Sequence, residues 1–303
     1  MRVIWAGLLM ALLSACGPRS RRGPTELVKP TGPLDLERAR EYVLGLVNRD
    51  RADLDLEAVE RDEAAERAGQ RHAEDMVQKG YTAHWGSDGS VPEQRYTEGG
   101  GEHFVQENAA CFFDAQAREL DPKPMFDAAE LEKVQTAFMS EKPPHDGHRQ
   151  NIIKPVHNRF GVGLAKAVGL PNVCMSQEFV DAYGEYGELP REAKAGQKLE
   201  IEGEVHDPVG FGGVGIGRIQ PAKPMSPEEL NNTSTYRVPQ PDTLYHPAGF
   251  KTPKPVTLKG RHFSIELTLD RGGRGRYEIS IWGKYPGAGD ELVMISLRTI
   301  HVR

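Results

Sequence analysis

The stretch Glu141 to Gly163 reads EKPPHDGHRQNIIKPVHNRFGVG and places His148 seven residues after Glu141, with Arg149 and Asn151 close behind. Pro143 and Pro144 shorten the connection, so a carboxylate and an imidazole are brought together over a compact span. Ile152 and Ile153 supply an apolar anchor, and Arg159-Phe160-Gly161-Val162-Gly163 reads as the start of a strand.

Upstream, Phe126 to Met139 has helical spacing, with Leu131, Val134, Ala137 and Phe138 inward. Asp35 can cap an earlier helix carrying Leu36, Ala39, Val43, Leu46 and Val47 and ending near Asn48-Arg49. A second helix is expected from Leu56 or Ala58 to Lys79, closed by Gly80. His72 lies within it, and Tyr81-Thr82-Ala83-His84-Trp85 follows directly. Ser87 to His103 is Gly-rich and is read as a loop. A helix start, where a carboxylate meets the macrodipole, is one of two compatible readings of Glu107. Downstream, strands are expected at Phe160–Ala165 and Val173–Val180, with Glu178 facing away from Gln177 and Phe179. Tyr183 to Pro190 reads as a linker. Beyond it the period changes to two, most cleanly over Lys198–Val205, and Val214–Ile219, His262–Leu269, Arg276–Trp282 and Val293–Val302 read as further strands. Gly275-Arg276-Tyr277-Glu278-Ile279 resembles the tyrosine-corner strand of immunoglobulin-like domains, so residues 190–303 are read as an all-β sandwich. The proline-rich excursion Pro221 to Pro255 is expected as a surface loop. No catalytic constellation stands out in this half, which suggests binding or spacing.

The chain has 303 residues, 38% apolar and 27% charged, which is globular composition with room for two domains. Arg2, the apolar run Val3 to Leu13 and Leu13-Ser14-Ala15-Cys16 resemble a bacterial lipoprotein signal, the alternative being an ordinary secretory signal that happens to carry a cysteine. Residues 1–15 are thus read as a signal peptide, Cys16 as the lipidated residue and residues 16–34 as a flexible stalk. By resemblance to the enterobacterial sorting rule, Gly17 after Cys16 implies an outer-membrane destination, periplasmic or surface-exposed. Two cysteines remain, Cys111 and Cys174, and in an oxidising compartment they suggest one disulfide, with two buried thiols as the alternative. Residues 35–188 carry 17 basic against 30 acidic groups, a balance that disfavours nucleic-acid binding.

Gly147-His148-Arg149-x-Asn151-Ile152 followed by Gly161-x-Gly163 resembles the bacterial form of the CAP superfamily, which comprises cysteine-rich secretory proteins, antigen five and class-one pathogenesis-related proteins. Gln70 to Met76 resembles that family's long helix, Gln106-Glu107-Asn108 its Glu-Asn motif, Ser140-Glu141-Lys142-Pro143 the Ser-Glu-Arg-Pro of plant and animal members, and Met175 to Val180 its Thr-Gln-aromatic strand. The pieces lie in family order over residues 35–187. The segment Cys111 to Lys123 departs from the short bacterial pattern and reads as an insertion edging the cleft, and Phe138 stands near a position where many members have Trp.

The resemblance implies an α+β fold, with a CAP-type α-β-α sandwich at 35–187 followed by the immunoglobulin-like sandwich at 190–303. It implies a cleft formed by His84, Glu107, Glu141 and His148, with His72 structural and His145 outside the pattern. Two imidazoles and two carboxylates suit a borderline divalent metal, so zinc is the expected cofactor, ligated by the His pair and oriented by the Glu pair. The favoured function is an envelope-anchored binding module, held to the membrane through lipid on Cys16 and taking a metal or an envelope lipid, peptide or glycan. The alternative is a zinc-dependent hydrolase of envelope peptide or peptidoglycan. A third reading is a buried polar network that only supports the fold.

Overall fold

Asp35 accepts from the Arg38 N–H at 2.9 Å, Asp62 from Ala65 and Asp127 from Ala129, and these three caps set where three helices begin. They are α1 (Leu36–Ala52), α2 (Glu63–Lys79) and, later, α4 (Ala128–Ser140). Between them lie β1 (Glu60–Arg61), α3 (Pro92–Glu98) and β2 (Phe104–Ala110). The domain continues through α5 (Gly147–Ile152), β3 (Arg159–Lys166) and β4 (Val173–Asp181). The computed structural model describes residues 27–220, 222–269, 273–286, 288–289 and 291–303. The expected signal peptide, Cys16 and the first part of the stalk lie outside the described residues.

The four strands form one sheet in the order β1-β3-β4-β2, so β2 is an edge strand. α2 covers one face, and α1, α4 and α5 cover the other. Four expectations for this half need correcting. α2 begins at Glu63 rather than Leu56 or Ala58, because Glu60 and Arg61 pair in parallel with Arg159 and Phe160. α1 runs past Asn48-Arg49 to Ala52. The expected loop after Ser87 contains α3, with Pro92 in its first turn. Glu107 sits within a strand rather than at a helix start, paired with Glu178 across the β2–β4 ladder.

The Gly-x-Gly of the opening motif has a direct steric cause. A Cβ at Gly163 would stand 2.0 Å from the Gly69 carbonyl carbon, and one at Gly161 would stand 2.4 Å from the Glu66 nitrogen. α2 therefore rests on β3 backbone to backbone, with Ala65, Ala68 and Ala73 along the same seam. Cys111, just past β2, is disulfide-bonded to Cys174 on β4, 63 residues on, which in the loop-entropy picture is worth roughly 4 kcal/mol.

The second half contains β5 (Gly184–Tyr186), β6 (Glu192–Ala193), β7 (Lys198–Val205), β8 (Gly210–Ile219), α6 (Pro227–Asn231), β9 (Thr243–Tyr245), β10 (Thr257–Lys259), β11 (His262–Thr268), β12 (Gly275–Lys284) and β13 (Leu292–Val302). Two sheets, β10-β11-β7-β5 and β6-β13-β12-β8-β9, enclose a core with Ile201, Phe263, Ile265, Ile279, Ile281 and Ile295 at its centre. Tyr277 is buried and its hydroxyl donates to the Gly273 carbonyl at 3.0 Å, the corner bond expected from its motif. The expected linker is not a free tether, since Gly184–Tyr186 pairs with β7 as a sheet edge. The Pro221–Pro255 excursion is not a plain surface loop either. It carries α6 and β9, and Leu230 is fully buried beside Met76, Tyr81, Ala83 and Ala109 of the first half.

The outward face of the five-stranded sheet is likewise covered. Arg276 donates to Gln94 Oε1 at 2.8 Å and lies 3.5 Å from Glu278, while Leu297 and Met294 pack on Phe104. Burial and the nearby Glu93 push the Glu278 carboxyl up to about 9, so it is a neutral acid in this seam near pH 7.

The glycine contacts yield a paired test. Gly163→Ala is expected to destabilise the protein by roughly 3 kcal/mol, the upper end for overpacking. Gly147→Ala, whose Cβ would meet nothing within 4 Å, is expected to leave stability nearly unchanged. Urea unfolding midpoints of both variants check the contrast.

Candidate ligand-binding cleft

α2 ends at Gly80, whose φ of 74° turns the chain sharply, and its backbone N–H bonds the Met76 carbonyl. The reversed chain carries His84 to the sheet edge, where His84 Nδ1 lies 3.0 Å from Glu107 Oε1. The other Glu107 oxygen accepts from Arg95 Nη2 at 2.6 Å and from the Ser176 hydroxyl at 3.1 Å. Arg95 also donates to the carbonyls of Ser90 and His84, so α3 is fastened to the loop that presents His84.

Burial alone would push the Glu107 carboxyl up. His72 at 3.7 Å, Arg95 and His84 reverse that and hold it well below the usual carboxylate range. Arg95 is the fixed cation among them. Burial drives the His72 imidazole down to about 4, so it is neutral near pH 7, and its Nε2–H donates to the Ala83 carbonyl at 2.8 Å. His72 is thus a buried support for the His84 loop. Glu178, expected to face away from Gln177 and Phe179, does so and pairs with Glu107 across the β2–β4 ladder. It lies buried on the Glu107 side of the sheet, and burial and the Glu107 charge push its carboxyl well above the usual carboxylate range.

The second imidazole comes from the opposite side. Glu141 caps the C-terminus of α4, and its carboxylate takes both the backbone N–H of His148 at 3.0 Å and His148 Nδ1 at 2.5 Å. The ring packs on Phe138 with centroids 4.5 Å apart. Glu141 is thereby spent on His148 rather than on the side chains of Lys142 or Arg149. Asn108 donates to the His148 carbonyl, and Asn151 donates to the Glu107 carbonyl and to Asn108 Oδ1, which stitches α5 to β2. Behind them Asn108, Gln177, Gln135 and Asp50 form a buried chain of hydrogen bonds, at 3.2, 2.7 and 2.7 Å, reaching α1.

All four expected residues line one cleft of about 710 Å³. A carboxylate accepts from each ring's Nδ1–H, and in the neutral ring that tautomer leaves Nε2 with a lone pair. Neither Nε2 has a hydrogen-bond partner among the described residues. His145 is exposed, as expected, and stands at the rim. Among the described residues no group of three or more His, Cys, Asp or Glu side chains is placed to hold a metal ion. The donor set therefore suits an open site of two imidazoles completed by water or ligand, not a closed four-ligand cage.

Two contributors were not foreseen from sequence. Arg95 belongs to α3, whose signal was Val91-Pro92 ahead of a helical run ending at Gly99-Gly100. Thr233, Ser234, Thr235, Tyr236 and Val238 come from the second domain's excursion and form a further wall. No sequence signal pointed there.

A family model described as the cysteine-rich secretory protein family, CAP, matches residues 44–179. None of the curated proteins matches the sequence. Among solved structures the chain is similar to an extracellular protein with an SCP domain from Bacillus anthracis, at 19% identity and a TM-score of 0.36, over 49% of this chain and 44% of that one. It is also similar to an outer surface protein from Borrelia burgdorferi, at 15% identity and a TM-score of 0.34, over 49% of this chain and 96% of that one. The match thus spans under half the length of the Bacillus anthracis protein.

The buried histidine sets a pH dependence. Unfolded, His72 takes up a proton below its ordinary value near 6.5, whereas folded it does so only near 4. The unfolded state therefore binds more protons in that window, and stability falls as pH drops from 6.5 to 4. His72→Gln, which keeps a donor for Ala83, is expected to flatten the melting-temperature slope over that window, as scanning calorimetry at half-unit steps would read.

Proposed function

Residues 44–179 are a domain of the CAP superfamily, and from that footing we propose that the protein is an envelope-anchored binding module whose cleft presents two imidazole Nε2 atoms to a divalent cation or a small polar ligand. The observation that carries the reading is the doubled His–carboxylate pair, His84–Glu107 and His148–Glu141, facing one open cleft. A carboxylate on Nδ1 fixes the ring and raises the basicity of Nε2, the arrangement expected behind a metal-binding histidine. Zinc accepts such nitrogen donors and tolerates a site completed by water. Both rings are partly exposed, so ligand can reach them without unfolding.

Calorimetric titration of the chain from Gly17 onward with zinc is expected to give saturable binding. His84→Ala and His148→Ala should each weaken it by about tenfold or more while thermal melts stay within a few degrees. Absence of heat in the native protein sinks the metal reading. A large drop in melting temperature in both variants favours a purely supporting network.

Membrane attachment through lipid on Cys16 completes the proposal. Among the described residues no helix is long and apolar enough to cross a membrane. Cys16→Ser is expected to move the protein from the membrane pellet to the soluble fraction and to abolish incorporation of a labelled fatty acid. Unchanged fractionation would count against the anchor.

A further inference from the structure

One wall of the cleft belongs to the second domain, and the way it is held is specific. Asn231 Oδ1 accepts from the Thr82 N–H at 3.0 Å, Asn231 Nδ2 donates to the Gly80 carbonyl at 3.2 Å, and Met225 N–H donates to the Ser87 carbonyl at 3.0 Å. Leu230 is buried between them. Tyr236 stands edge-on to Trp85 with centroids 5.1 Å apart, and its hydroxyl donates to Glu93. These ties reach the same turn that carries His84. Ser234 and Thr235, between the anchors, are exposed at the cleft, and neither hydroxyl has a hydrogen-bond partner among the described residues.

Three features of the cleft narrow what this wall selects. Among the described residues no Lys or Arg lines it, whereas Glu107, Glu141 and Asp146 do, so a phosphate, sulfate or carboxylate ligand meets no lining side-chain cation there. The edge of β2 is already capped inside the cleft, because Asn151 Nδ2 donates to the Glu107 carbonyl at 3.2 Å, which blocks an extended peptide from adding as a further strand. What remains for recognition is side-chain chemistry: hydroxyls, imidazoles, carboxylate acceptors and Phe113, which is 69% exposed at the rim. Flat apolar rings beside hydroxyl and carboxylate groups match a ligand with an apolar face and a hydroxyl edge.

We infer that the second domain supplies the ligand-selecting wall of the cleft, through Ser234 and Thr235, and that the ligand class is an uncharged glycan segment. The inference rests on the reading of the cleft as a binding site. A volume of about 710 Å³ falls within the ordinary range for small-molecule sites and admits a short oligosaccharide rather than a single ring. Ser234 and Thr235 bond the sugar hydroxyls, Phe113 stacks on a ring face, and the imidazole Nε2 atoms accept from sugar hydroxyls at the floor.

The test is calorimetry on the full-length protein in detergent with four probes: an N-acetylglucosamine tetrasaccharide, maltotetraose, a heparin tetrasaccharide and tetra-alanine. Saturable binding of a neutral tetrasaccharide is expected. It should weaken by about tenfold or more both in the Ser234→Ala/Thr235→Ala double variant and in Phe113→Ala, with zinc affinity unchanged. All these side chains are exposed, so unchanged melts separate loss of binding from loss of fold. Zinc binding without binding of either sugar overturns the glycan assignment and leaves the reading of the cleft standing. Binding of neither overturns both. Heparin or tetra-alanine binding more tightly than the neutral sugars overturns the argument from charge or from the capped edge. Sugar binding that the Ser234/Thr235 variant leaves intact overturns the role of the second domain.

Discussion

The ion pair between Glu107 and Arg95 is the interaction on which the rest of the site depends. Both side chains are essentially without solvent, and the carboxylate is shared among Arg95, Ser176 and His84. A buried pair of this kind adds little net stability when intact, yet leaving either charge alone costs about 3–5 kcal/mol. Each partner therefore holds the other's element in place. Glu107 fixes α3 through Arg95, and Arg95 fixes the turn after α2 through the carbonyls of His84 and Ser90. The position of His84 follows from a charge that has to be met, not from apolar packing around the ring.

The two halves of the cleft are set by different physics. On the α2 side the sheet is approached backbone to backbone through Gly69, Gly161 and Gly163, which leaves room for the buried acids and His72. On the other side a chain of neutral amides, from Asn108 through Gln177 and Gln135 to Asp50, ties β2 to α4 and α1. The edge strand β2 joins these systems, because alternate side chains of one short strand enter each. Glu107 enters the charged cluster and Asn108 the amide chain. Moving this strand by one residue would exchange the two and break both, so its register is pinned from both faces.

Local signals carried much of the first domain. Asp35 as a cap, Gly80 as a helix stop, and the Gly161-x-Gly163 strand each express a backbone requirement that a few residues satisfy. The four cleft residues were recoverable because their motifs resemble a family pattern, and they do line one cleft. What escaped had its cause at a distance. Gln106-Glu107-Asn108-Ala109-Ala110 has weak strand propensity and becomes a strand only because β4 is there to pair with it. Alternation put Glu178 on the face opposite Gln177 and Phe179, but nothing local showed that this face is buried beside Glu107. Arg276, Glu278 and Ser280 alternate with Tyr277, Ile279 and Ile281 as on a half-exposed strand, yet the first domain covers them. Alternation reports two chemically different faces, and here the polar face meets protein.

That covered polar face bears on how the two domains work together. A neutral Glu278, with Arg276, Gln94 and Glu93, makes a seam that is polar rather than greasy, with Arg276 hydrogen-bonded to Gln94 and within 3.5–4.0 Å of the two acids. The Arg276–Gln94 bond is directional, and it ties the sandwich to α3. α3 is also the helix that holds Arg95. The orientation of the second domain, the charge on Glu107 and the position of His84 are thus linked through one short helix. The excursion that walls the cleft returns to the same helix where Tyr236 meets Glu93. A second domain serving only as a spacer would require no such contact. The contacts instead put Thr233, Ser234, Thr235, Tyr236 and Val238 in the lining of the cleft that the imidazoles share, so the cleft is a property of both domains together.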